Sequence, residues 1–133
     1  MDARYINQDY SDIVNDLIHT EPELKYIAES KAQIICLSSQ HEKKSNGKAV
    51  LGQCEKIQDK YKWSIPCDFT ITVFEPNVEG LTDEQIRILL FHELLHVGIN
   101  RDGDKESYFV NPHDLEDFKL IVDKYGTDWN IVQ

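Results

Sequence analysis

The chain has no apolar run approaching the roughly 20 residues that cross a bilayer, so no membrane span is predicted. Its first residues, Met1-Asp2-Ala3-Arg4-Tyr5, lack the basic-then-apolar layout of a signal peptide, and nothing there predicts export. Cysteine is scarce. Cys36, Cys54 and Cys67 form an odd set with no C-x-x-C spacing, which argues against a disulfide framework or a second metal site. Each lies in or beside a strand-like run, as small buried thiols in a reducing cytoplasm would. Positive charge is in deficit: 14 Lys and Arg stand against 24 Asp and Glu, a net charge of −10. A surface this acidic is repelled by phosphate backbones, so direct nucleic-acid binding is not expected. Internal repeats and low-complexity linkers are absent as well. With 133 residues, 41% of them apolar, the expectation is a single domain over 1–133 with a modest core.

What is present is Phe91-His92-Glu93-Leu94-Leu95-His96, an H-E-x-x-H sequence inside a helical run. Residues four apart share a helix face, so His92 and His96 can turn ring nitrogens toward one ion. Glu93 lies one residue round, poorly placed to bind that ion beside both rings. Its carboxylate is then available to take a proton from metal-bound water. The competing reading is a buried helix that happens to carry two histidines and an acid.

The surrounding pattern predicts an α+β domain. Residues 9–19 read as an amphipathic helix capped by Asp9 or Ser11, with Tyr10, Ile13, Val14, Leu17 and Ile18 at helical spacing. His19 would cap its far end. Pro22 suits the first turn of a short helix through Leu24 and Ile27. Three strands follow, over 33–38, 49–57 and 68–74, with Gly52 marking a bulge in the second. In the third, Phe69, Ile71 and Val73 alternate with Thr70 and Thr72, giving one face to a core and the other to a groove. Asn46-Gly47 is a turn signal in the polar connector that carries His41. The aromatic-rich connector 60–66 is expected to pack on the sheet edge. Thr82-Asp83-Glu84-Gln85 forms a capping box that opens a helix over 83–97, apolar on two sides and stopped by Gly98. Residues 99–111 read as an irregular polar loop, whose glycine is misplaced for an EF-hand. Asn111-Pro112 would cap a closing helix carrying Leu115, Phe118, Ile121, Val122 and Tyr125, and Trp129 in the tail would dock on the body of the domain.

A catalytic zinc site takes three protein ligands and a water. His113, 17 residues beyond His96, is the choice for the third. Glu116 is its main rival, with Asp114 and Glu106 behind it.

These residues resemble a known group. His92-Glu93-Leu94-Leu95-His96 followed by His113-Asp114-Leu115-Glu116-Asp117-Phe118 is similar to the SprT-like metallopeptidases. The run from Gly52-Gln53-Cys54-Glu55-Lys56 through Tyr61-Lys62-Trp63 and Phe74-Glu75-Pro76 to Asn111-Pro112-His113 more closely resembles the phage metallopeptidases, over roughly residues 30–129. The resemblance implies a compact zincin-like core: a small three-stranded sheet packed on an active-site helix, with helices at both ends. It also implies a bacteriophage or prophage origin, zinc held by His92, His96 and His113, and Glu93 as the base. The chain lacks the four-cysteine zinc module and basic tail of larger SprT-like proteins, so DNA-linked proteolysis is not carried over. The metzincin pattern is absent, because Gly98 comes too soon after His96. Gly52-Gln53-Cys54 faintly resembles the cysteine-ligand segment of peptide deformylases, but their glycine-rich substrate loop is missing.

The expectation is therefore a zinc-dependent peptidase acting on a peptide or protein in the cytoplasm, the host's if the chain is phage-encoded. A substrate strand would pair with an exposed sheet edge, with Phe69–Phe74 as the candidate, and Tyr108 would face the oxyanion. Two other classes stand beside it. One is a non-catalytic zinc-bound interaction or inhibitory module, its shell closed by Cys54 or Glu106. The other is a binding domain that never holds metal.

Overall fold

The structure, a computed structural model, describes residues 4–112. After a three-residue strand, β1 (Arg4–Ile6), the Asn7 side chain accepts the Tyr10 amide at 3.1 Å and caps helix α1 (Gln8–Thr20). The cap falls on Asn7 rather than on Asp9 or Ser11. A capping residue needs extended backbone, which Asn7 has, whereas the other two are already helical. His19 Nδ1 meets the Asn15 carbonyl at 2.8 Å in the last turn. Pro22 opens a 3-10 turn that runs into α2 (Lys25–Ala28), as its fixed φ favours.

Strand β2 (Ile34–Ser39) is followed by a small hairpin, β3 (Lys44–Ser45) and β4 (Lys48–Ala49), turned by Asn46 and Gly47, both at positive φ. Strands β5 (Gly52–Lys56) and β6 (Phe69–Phe74) complete the main sheet, whose order is β1-β2-β6-β5. Strand β6 runs parallel to β2 and antiparallel to β5. The three expected strands are present, but the sheet has a fourth. At three residues, β1 is too short to show alternation. Gly52 pairs with Val73 in an unbroken register, so it marks no bulge.

All six residues of β6 are buried, and it lies between two partners. Phe69–Phe74 is therefore not the exposed edge expected of it; β5 is the edge on that side. Nor does the Thr70–Thr72 face line a groove. Arg4 reaches over it, bonded to Thr72 Oγ1 at 3.2 Å and paired with Glu55 at 3.3 Å. In the connector after β5, Lys62 is the anchor, 2.9 Å from Asp68 and 3.3 Å from Asp59. Its neighbours Tyr61 and Trp63 stay exposed, Trp63 at 87%, instead of packing on the sheet.

A short helix, α3 (Glu75–Val78), leads to α4 (Asp83–Leu94). The capping box forms as expected: the Gln85 amide donates to Thr82 Oγ1 at 3.2 Å and the Thr82 amide to Gln85 Oε1 at 2.8 Å. Every residue from Ile88 to Leu94 is buried, so α4 is enclosed between α1 and strands β5 and β6. Leu90, Phe91 and Leu94 join Leu17, Leu24, Ile71 and Val73 in one core cluster. At about 1.5–3 kcal/mol per buried large apolar side chain, this packing holds the helix rigidly against the sheet. Arg87 adds a 2.7 Å ion pair to Asp16 of α1.

The helix ends at Leu94, not at 97. The stretch read as a loop is a hairpin of β7 (Val97–Asp102) and β8 (Lys105–Val110), with Gly103 at positive φ in the turn. Gly98 is a strand residue opposite Phe109, where a Cβ would stand 2.5 Å from the ring. Cys36 and Cys67 are buried and Cys54 partly so, all as thiols; burial pushes Cys36 up to about 11. Among the described residues no helix is long and apolar enough to cross a membrane. The closing helix expected from residue 112 and Trp129 lie outside the described residues.

Candidate metal and catalytic site

The H-E-x-x-H segment straddles the end of α4. His92 and Glu93 lie in its last turn, and His96 falls just past it, in a tightened turn where the His96 amide bonds Glu93 O at 3.1 Å. The histidines thus share no regular helix face, yet their rings meet edge to face with centroids 5.3 Å apart.

Asn111 orients His96. Its carbonyl lies 2.6 Å from His96 Nδ1, and a carbonyl can only accept, so Nδ1 carries the proton. The lone pair of that ring is then on Nε2. The Asn111 amide returns a bond to His96 O at 2.7 Å, and its side-chain amide donates to Leu95 O at 3.3 Å and Val97 O at 3.4 Å. These contacts continue the ladder of the β7–β8 hairpin by one residue. The hairpin is therefore what carries the chain back from His96 to a point two residues before His113. Tyr26 supports the same turn, its hydroxyl donating to Val97 O at 2.6 Å, and burial pushes its pKa up to about 12.

Glu93 is 4% exposed and His92 8%, with Glu93 Oε2 4.0 Å from His92 Nε2. The carboxylate lies against the edge strand: a Cβ on Gly52 would stand 3.3 Å from Oε2. Cys54, on the same strand, has its thiol pushed far above the usual range by burial and then by the Glu93 charge. It remains a neutral neighbour of the carboxylate.

The other sequence candidates lie elsewhere or outside the described residues. The Glu106 carboxylate accepts the Lys31 amide at 3.0 Å and the Tyr108 hydroxyl at 2.9 Å, and Arg101 stands 3.5 Å away. It braces the hairpin. Tyr108 is spent on that bond and packs edge-on to Phe69, so it is not turned to an oxyanion. His41 is exposed on its loop. His113, Asp114 and Glu116 lie outside the described residues. Among the described residues, no three His, Cys, Asp or Glu side chains cluster to hold a metal ion, so Cys54 does not complete a set with the two histidines. Sequence reasoning missed Gly52 as the floor under Glu93 and Asn111 as the partner of His96. Neither has a local signal beyond a glycine in a strand and an asparagine before proline.

A family model described as "Putative phage metallopeptidase" matches residues 3–133. The chain belongs to that family. No curated protein and no solved structure matches it. Membership implies a metal cofactor. Two of the described residues have the chemistry to hold one, His96 with its lone pair fixed on Nε2 and His92 with its ring beside it.

Proposed function

We propose that the chain is a zinc-dependent peptidase of the zincin type, related to the SprT-like enzymes and acting as one unit over residues 1–133 in the host cytoplasm. His92, His96 and His113 hold the cation and Glu93 is the general base. The observation that carries this reading is the buried Glu93 carboxylate, 4.0 Å from His92 Nε2 and beside a second imidazole whose tautomer is set by Asn111.

When bound, the zinc supplies Lewis-acid chemistry, making water more acidic and a carbonyl more electrophilic. The chain's own residues do the rest. Glu93 accepts a proton from the attacking water and delivers it to the leaving nitrogen. Burial keeps bulk water from competing for that proton, while the rigid packing of α4 fixes where the carboxylate stands. Strand β5 is the edge nearest α4, and an extended peptide adding to it would pass beside Glu93. The substrate is accordingly a peptide or a segment of protein that can be drawn out into an extended strand.

Glu93→Gln keeps the shape and removes the base. Elemental analysis should find zinc at the parent's stoichiometry while peptide hydrolysis falls at least about 100-fold. Turnover retained by this variant would refute the assignment of Glu93. His113→Ala should lose zinc, and full zinc retention would move the third ligand to Glu116.

A further inference from the structure

We infer that Gly52 is a positioning residue for Glu93: its missing side chain is the space in which the carboxylate is held. Neither the strand register nor the backbone conformation calls for glycine at this position. The register of β5 with β6 is unbroken through Gly52↔Val73, so there is neither turn nor bulge. Its φ lies outside the left-handed region, so an L side chain meets no backbone strain there. A glycine inside a strand only weakens the strand. Space is what remains. A Cβ would stand 3.3 Å from Glu93 Oε2, 3.4 Å from Glu93 Cγ and 3.3 Å from the Thr72 carbonyl oxygen.

Of these neighbours, the Thr72 carbonyl is fixed within the sheet, because β6 is paired on both sides. The strand would have to absorb that contact in any background, whereas the contact with Glu93 is relieved only if its side chain yields, and at 4% exposure it has little room to do so. The edge strand and the Glu93 side chain therefore approach slightly closer than a Cβ at this position would allow. That closeness sets where the base stands relative to a peptide lying along β5, an inference that rests on the peptidase reading above.

The test compares the zinc-loaded full chain with Gly52→Ala, Glu93→Ala and the double variant, using casein as the protein substrate. Gly52→Ala should lower kcat about tenfold, since a small misplacement of a reacting group costs that much. KM should stay within about twofold, and zinc content should match the parent. Gly52→Ala should also lower Tm by several degrees in the parent, and by less than half as much in the Glu93→Ala background. This second readout needs no activity: were the parent inert on casein, the peptidase reading would fail while the Tm comparison still decided Gly52. If Gly52→Ala does not fold, recovery of folding in the double variant supports the inference. Equal Tm losses in both backgrounds, an unchanged kcat in an active enzyme, or failure of both variants to fold would overturn it.

Discussion

At the scale of single residues, Asn111 and Glu106 show how polar atoms are matched around the site. Asn111 sets the His96 tautomer through its backbone carbonyl, which no substitution removes, and ties down Leu95 and Val97 through its side chain. Asn111→Ala should therefore loosen the turn without abolishing the tautomer. On the proposed zinc reading, in which His96 is a ligand, zinc affinity measured by chelator competition should fall about tenfold, as for a group that orients a metal-binding histidine. An unchanged affinity would show that the backbone contacts suffice. Glu106 is held below the usual carboxylate range by the Lys31 amide, then by the Tyr108 hydroxyl and the Arg101 charge. A depressed pKa means the ionised form is favoured in the folded state. Its contribution is present above the ordinary value of 4.5 and is lost as pH falls through the folded value. Urea midpoints measured downward from pH 6 should decline less steeply for Glu106→Gln than for the parent. Equal slopes would assign the acid sensitivity to other carboxylates.

The element that most changes the picture is the β7–β8 hairpin. Gly103-Asp104 is the two-residue hairpin loop, with glycine at the first position where φ is positive, and Ile99 and Arg101 before it pair with Tyr108 and Glu106 after it. The acids of this stretch make it look like a calcium loop, and the expected helix through 97 hid where β7 begins. Gly98 illustrates the same ambiguity, because a glycine after a helical run reads as a stop signal. In the hairpin it instead leaves room for Phe109. Gly98→Ala should cost about 1–3 kcal/mol in urea denaturation, as overpacking does. Phe109→Leu should recover part of that loss, since the blocking ring is itself 39% exposed and its removal opens little of the core. A cost that is the same with and without Phe109 would rule out this contact as the cause.

For the whole molecule, the described residues form a small mixed α/β domain with one four-stranded sheet and two hairpins. The enclosed helix α4 is its centre. Sheet, α1 and hairpin each act on a different part of the H-E-x-x-H segment. Strand β5 sets the space for Glu93, the α1 ion pair and core packing fix the helix, and the hairpin brings Asn111 to His96. This division explains why the site reads so clearly in a short motif while depending on residues scattered along the chain.

The sequence alone determined what is local. The H-E-x-x-H spacing, the Thr82–Gln85 box, the Asn46-Gly47 turn and the strand over 69–74 each involve residues within a few positions, so they can be read from the spacing itself. The family followed from motifs of that kind. Tertiary structure decided which strand is the edge, that helix α4 stops at Leu94, and that Gly52 and Asn111 meet Glu93 and His96. Those outcomes depend on how strands pair and how far the chain returns. Such contacts join residues distant in sequence, and they are chosen by the packing of the whole core rather than by any one stretch of it.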